Sequence, residues 1–105
     1  MYTQNLDHVK IIHLNGKEEK LHFEKYTSQE EVFSLELEVS GHTNENFTLI
    51  ISNQKGPQYT AMIKGGKKVS FTYVQDWYDN DMDLLIIPAK KDEGKLEFRC
   101  RFISF

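Results

Sequence analysis

Val32-Phe33-Ser34-Leu35-Glu36-Leu37-Glu38-Val39 alternates apolar and polar side chains without a break from Phe33 onward. Successive residues of a β-strand point to opposite faces. Phe33, Leu35, Leu37 and Val39 are therefore expected on a buried face, and Ser34, Glu36 and Glu38 on a solvated one. A helix would put Leu35 and Leu37 about 200° apart and give no apolar stripe.

The same pattern continues on both sides. Upstream, residues 9–14 and 21–26 read as strands joined by Asn15-Gly16, whose residue types suit a type I′ turn. A two-residue loop pairs His8 with Phe23 and Ile12 with Glu19. Ile12, Leu14, Leu21 and Phe23 then share one side, with Val9 and Ile11 on the other, so this hairpin is expected to be covered on both faces. Residues 27–31 break the alternation, and Ser28 with Glu31 has capping-box spacing, which points to a single helical turn.

Downstream of a polar loop at 40–46, residues 47–52 place Phe47, Leu49 and Ile51 inward. Residues 53–57 form a turn in which Pro57 opens the next strand. Residues 58–64 alternate Tyr59, Ala61 and Ile63. Gly65-Gly66 predicts a tight hairpin into 67–74, where Val69, Phe71 and Tyr73 share a face. Residues 84–87 are apolar on both faces, as in a central or doubly covered strand, and Pro88 ends them. After a charged turn at 89–94, residues 95–104 turn Leu96, Phe98, Cys100 and Phe102 inward. Arg99 and Arg101 point outward and are expected to meet Glu36 and Glu38 if their strands are neighbours.

About eight short strands separated by turn signals predict an all-β fold, an antiparallel two-sheet sandwich with an immunoglobulin-like or jelly-roll path. Residues 1–7 read as a polar N-terminal arm and 8–105 as one domain. One internal echo stands out. The Ile-Ile and Lys-Leu-x-Phe of 11–23 recur at 86–98 across another charged turn. Two turns obeying the same rules account for it, with duplication as the alternative.

Composition limits the function classes. The chain has 105 residues, 39% hydrophobic and 28% charged, with a net charge of -3. Residues 1–53 carry nine acids against four lysines, and 54–105 carry seven acids against nine Lys or Arg. Neither half has the positive excess that phosphate binding requires, and the lysines 64, 67, 68, 90 and 91 are too few to make nucleic acid an expected partner. Cys100 is the single cysteine, so no internal disulfide can form. No apolar stretch is long enough for a spanning helix. Met1 to Asn5 shows no basic segment followed by an apolar run, so a cytoplasmic location is expected.

Candidate chemistry concentrates in 73–83, which holds Trp77, Tyr78, Asp79, Asp81 and Asp83. Asp79, Asp81 and Asp83 have the spacing that opens an EF-hand, but Leu84 stands where glycine belongs and Lys90 where the bidentate glutamate belongs. An irregular calcium cage remains as a reading, as does a stacking platform of Trp77 and Tyr78 for a sugar. Trp77 is also in phase with Val69, Phe71 and Tyr73, which makes it a candidate core plug. His8 and His22 approach each other if the first hairpin forms, yet no histidine has zinc spacing. No cofactor site, nucleophile elbow or phosphate loop is present, so a non-catalytic role is expected. The first expectation is a protein-interaction module of inhibitor or immunity type, whose binding residues are Trp77, Tyr78, Asp79, Asp81 and Asp83. The alternatives are a carbohydrate- or calcium-binding domain and a structural or assembly subunit.

Overall fold

The computed structural model describes residues 7–66 and 68–105. Eight strands run in chain order: β1 (Asp7–Asn15), β2 (Glu19–Glu24), β3 (Val32–Thr43), β4 (Phe47–Asn53), β5 (Gly56–Ile63), β6 (Lys68–Asp76), β7 (Asp81–Pro88) and β8 (Glu93–Ser104). They form two antiparallel four-stranded sheets, β1-β8-β3-β6 and β2-β7-β4-β5. That order is the jelly-roll path. No helix among the described residues is long and apolar enough to cross a membrane.

Four connections explain the path. β1 to β2, β3 to β4, β5 to β6 and β7 to β8 each take three or four residues, and each leads from one sheet to the other. Set side by side, the two strand orders place β1 over β2, β8 over β7, β3 over β4 and β6 over β5, and these four short links join the facing strands. These four corners gather at one end of the sandwich. The opposite end carries the longer β2–β3 crossing, the β4–β5 turn and the β6–β7 crossing.

Two expected hairpins are therefore corrected. β1 does not pair with β2, nor β5 with β6; only the β4–β5 turn joins paired neighbours. At the first corner Gly16 marks the close approach of its neighbour. Its φ of 78° suits glycine, and a methyl group there would overlap the Lys90 carbonyl of the adjacent β7–β8 corner. The echo of 11–23 in 86–98 marks these two corners, which lie side by side because β1 pairs with β8 and β2 with β7. His8 and His22 are accordingly not cross-strand partners.

Away from the β5–β6 flank, the faces follow the alternation with two exceptions. Leu35, Leu37, Val39, Phe47, Leu49, Ile51, Met82, Leu84, Ile86, Leu96, Phe98, Cys100 and Phe102 are all buried, as are Leu14 and Phe23. Burial lifts the Cys100 thiol pKa to about 12, which leaves it a small apolar side chain. At the start of β3 a register shift between Val32 and Ser34 reverses the phase. Val32 is buried there, and Phe33 swings out to meet the Phe105 ring at 4.8 Å. The second exception is coverage. Val9 and Ile11 are exposed, and Leu85 and Ile87 are only half-buried on the outer face of β7, so neither strand is covered twice.

The helical turn expected near Ser28 is a reverse turn instead, closed by Gln29 N–H donating to the Tyr26 carbonyl at 2.9 Å. Gln29 is the reason. Its side chain is buried, accepts from Tyr26 N–H (3.0 Å) and donates to the Phe102 carbonyl (2.6 Å), pinning the β2–β3 crossing onto β8. On the outer face of the first sheet, Arg101 stands opposite Glu36 and Arg99 opposite Glu38, as expected. Their shortest hydrogen bonds, however, run to Asp7 on the other side, at 2.8 and 3.2 Å, and Arg99 also reaches Glu97 at 3.5 Å. The polar arm expected over 1–7 lies outside the described residues except for Asp7, which opens β1.

Candidate functional site

The β6–β7 crossing is shorter than the aspartate-rich loop read from sequence. Only residues 77–80 lie outside strands, because Asp81 and Asp83 belong to β7, alternating with the buried Met82 and Leu84. The five candidate residues therefore divide into two groups.

Trp77 closes the crossing end of the core. It is 3% exposed, its backbone N–H donates to the Phe33 carbonyl, and its indole N–H donates to the Asp81 carbonyl at 3.0 Å. Tyr78, next in sequence and of opposite parity, is 76% exposed. Asp79 accepts from Gln54 N–H of the β4–β5 turn at 3.4 Å. All three border a cleft of about 460 Å³ between the edge strands β5 and β6. The cleft exists because the two layers do not close over their core-facing rows here. Tyr59 and Gln75 sit in those rows, opposite Ile51 and Leu35, yet both are exposed. Tyr73 lies deeper, buried, with its ring 5.3 Å from that of Tyr59; burial and the neighbouring Tyr59 raise its phenol pKa. Asn53, Lys55 and Gln58 form the wall from the β4–β5 turn. Asn53 Oδ1 there accepts from Lys55 N–H (2.8 Å) and Gln58 Nε2 (3.2 Å).

Asp81 and Asp83 face a different surface, the outer face of the second sheet. Their neighbour is His22 on β2, with Nδ1 2.6 Å from Asp83, Nε2 3.0 Å from Glu24 and 3.9 Å from Asp81. Hydrogen bonds to Asp83 first and Glu24 second raise the pKa of this histidine above its ordinary value. The imidazole occupies the space between the carboxylates. Among the described residues no group of three or more His, Cys, Asp or Glu side chains is arranged to hold a metal ion, and Asp79 points into the other group.

The cleft residues not among the five candidates include Asn53, Lys55 and Gln58 of the β4–β5 side and, on the strands, Tyr59 and Gln75. The strand phase of these last two marks them as core, and only the open flank of the sandwich exposes them. Gln29 and Asp92 were missed as well. Asp92 is fully buried and receives the Asn44 and Glu45 N–H groups at 3.0 and 3.1 Å, bracing one corner against its neighbour. A glutamine in a polar crossing and an aspartate in a charged turn give no sign of burial in one sequence.

No family model and no curated protein match the chain. Solved structures share its fold. One comes from Bacillus endospore appendages, which form a novel family of disulfide-linked pili. It has 12% identity and a TM-score of 0.53, over 98% of this chain and 93% of that one. Another is dimeric latent PorU from Porphyromonas gingivalis, with 7% identity and a TM-score of 0.53, over 97% of this chain but 13% of that one. At such identities the likeness is one of fold.

Proposed function

We propose that this protein is a structural subunit that assembles with copies of itself by adding strands to its first sheet. The observation that carries this is the edge strand β6. Between Lys68 and Asp76 it reads Val-Ser-Phe-Thr-Tyr-Val-Gln, seven residues with no charge and no proline. Among the described residues, one side of its backbone has no strand partner in the sheet order, and Val74 is 53% exposed. Edge strands of proteins that stay single are normally blunted by charge, proline or bulges.

The second sheet shows such blunting. Its edge β5 begins with Gly56-Pro57 beside a register shift, and its other edge, β2, has six residues, four of them Glu, Lys or His. The far edge of the first sheet, β1, exposes Val9 and Ile11 on its outer face. With four antiparallel strands, β1 and β6 run in opposite directions, so β6 of one copy meets β1 of the next in antiparallel register. A contact between two different edges is heterologous: it repeats from copy to copy and builds a chain of subunits wherever the rotation does not close into a ring. The fold shared with a pilus protein fits this reading.

The acidic–aromatic loop as a binder of a cationic partner has less support, because its residues face two different surfaces and Asp83 is already engaged by His22.

Light scattering and electron microscopy of the purified protein over a concentration series test the proposal. Wild type is expected to form oligomers that grow with concentration. Thr72→Lys with Val74→Lys, both on the exposed outer face, is expected to leave a folded monomer. A wild type that stays monomeric at millimolar concentration overturns the proposal.

A further inference from the structure

We propose that the β5–β6 cleft binds a neutral saccharide chain, a role separate from strand addition along the β6 backbone. Its volume, about 460 Å³, falls within the range of small-molecule sites. The lining narrows the ligand class. Tyr59 and Tyr78 present exposed aromatic surface, and Gln75, Asp76, Asp79 and Lys55 supply donors and acceptors around it.

This is the chemistry of a polyol with an apolar C–H face. A pyranose ring stacks its C–H face on an aromatic ring, while amides and carboxylates take its hydroxyls in pairs. Other ligand classes fit less well. Two carboxylates against one lysine disfavour an anion such as a phosphate or nucleotide. Among the described residues the border contains no Ala, Val, Leu, Ile or Met side chain, so a lipid or other apolar ligand would leave polar groups unpaired. The cleft lies open along the flank of the sandwich rather than enclosed, which suits several rings of a polymer better than one small molecule.

The walls are fixed before any ligand arrives. Asn53 Oδ1 holds Lys55 N–H and Gln58 Nε2, and Asp79 Oδ2 holds Gln54 N–H. The Tyr59 ring packs near Phe71 and Tyr73, with centroids at 6.4 and 5.3 Å, and still keeps 45% of its surface exposed. A platform held this way loses little freedom on binding.

Calorimetry and amide NMR of the full chain, titrated with cellohexaose, chitohexaose and xylohexaose, test the inference. At least one hexasaccharide is expected to bind and to shift the amides of 53–59 and 73–79. Tyr78→Ala is expected to weaken that binding about tenfold, the scale of one lost stacking contact. Tyr59→Ala should do the same; because Tyr59 also packs on core rings, the exposed Tyr78 is the decisive variant. Asp83→Asn, on the other surface, should leave binding unchanged. No binding by any of the three sugars overturns the inference, and so does binding that survives Tyr78→Ala or is lost in Asp83→Asn. Oligomer size, measured separately, reports on strand addition and not on this site.

Discussion

His22 Nδ1 lies 2.6 Å from Asp83 Oδ1, across the β2–β7 pair where the two residues stand directly opposite. The other ring nitrogen, Nε2, faces Glu24 Oε1 at 3.0 Å. Two acceptors on two ring nitrogens favour the imidazolium, the only form that donates from both.

A pH dependence follows from this pair and from His8. Because the folded pKa of His22 is raised, its stabilisation is complete below the ordinary value of 6.5 and disappears as pH rises through the raised value. His8 behaves oppositely. Burial first, and Lys10 second, lower its pKa, and it stacks on the Tyr26 ring at 4.1 Å. Its neutral form is favoured, so stability falls as pH drops from 6.5 through the lowered value. Between pH 5 and 8 these two groups together give a shallow stability maximum near 6.5. Thermal unfolding across that range checks it: His22→Asn should flatten the alkaline side of the curve and His8→Phe the acid side.

Gln29→Ala is expected to cost about 1–3 kcal/mol. It strips the Phe102 carbonyl and the Tyr26 N–H of a buried partner without supplying another. Gln29→Glu should be worse, since a carboxylate oxygen would face the Phe102 carbonyl. Urea unfolding of the two variants, with an unchanged denaturant slope as the sign of intact two-state behaviour, measures both.

Gly41 lies within β3 at a φ of 132°, opposite Leu96. A methyl group there would overlap the Lys95 carbonyl and lie 3.1 Å from Leu96 Cα. Gly41→Ala should therefore cost about 1–3 kcal/mol in backbone strain alone, with the overlap added. Gly56 has a φ of 112° and nothing within 4 Å of the added atom, so Gly56→Ala carries the strain without the clash and should be the milder change. Comparing the two variants by chemical unfolding separates backbone conformation from crowding.

The layers were legible in the sequence and the path between them was not. Leu35, Leu37 and Val39 announce their facing through alternation, because burying one side of a pleated strand leaves a period of two. Asn15-Gly16 and Gly65-Gly66 announce a reversal of direction, but a turn within a sheet and a turn between sheets use the same residue types. What separates them is pairing between residues far apart in the chain, β1 with β8 and β2 with β7, and the approach of Gly16 to the Lys90 carbonyl is one sign of it. The candidate site divided for a related reason. Asp79, Asp81 and Asp83 look alike in sequence, yet the first lies in the crossing and the other two project from a strand. Tyr59 was assigned to the core by phase; its exposure depends on where the sandwich flank opens, which no local pattern encodes.

β8 lies between β1 and β3 in the first sheet and is the last strand in the chain. β1 and β3 therefore share no neighbour until β8 is in place, and the pairs that close this sheet join residues far apart in sequence, such as Asp7 with Arg101. Closing so many distant pairs slows folding, and until it is done the bare β6 edge is open to strangers.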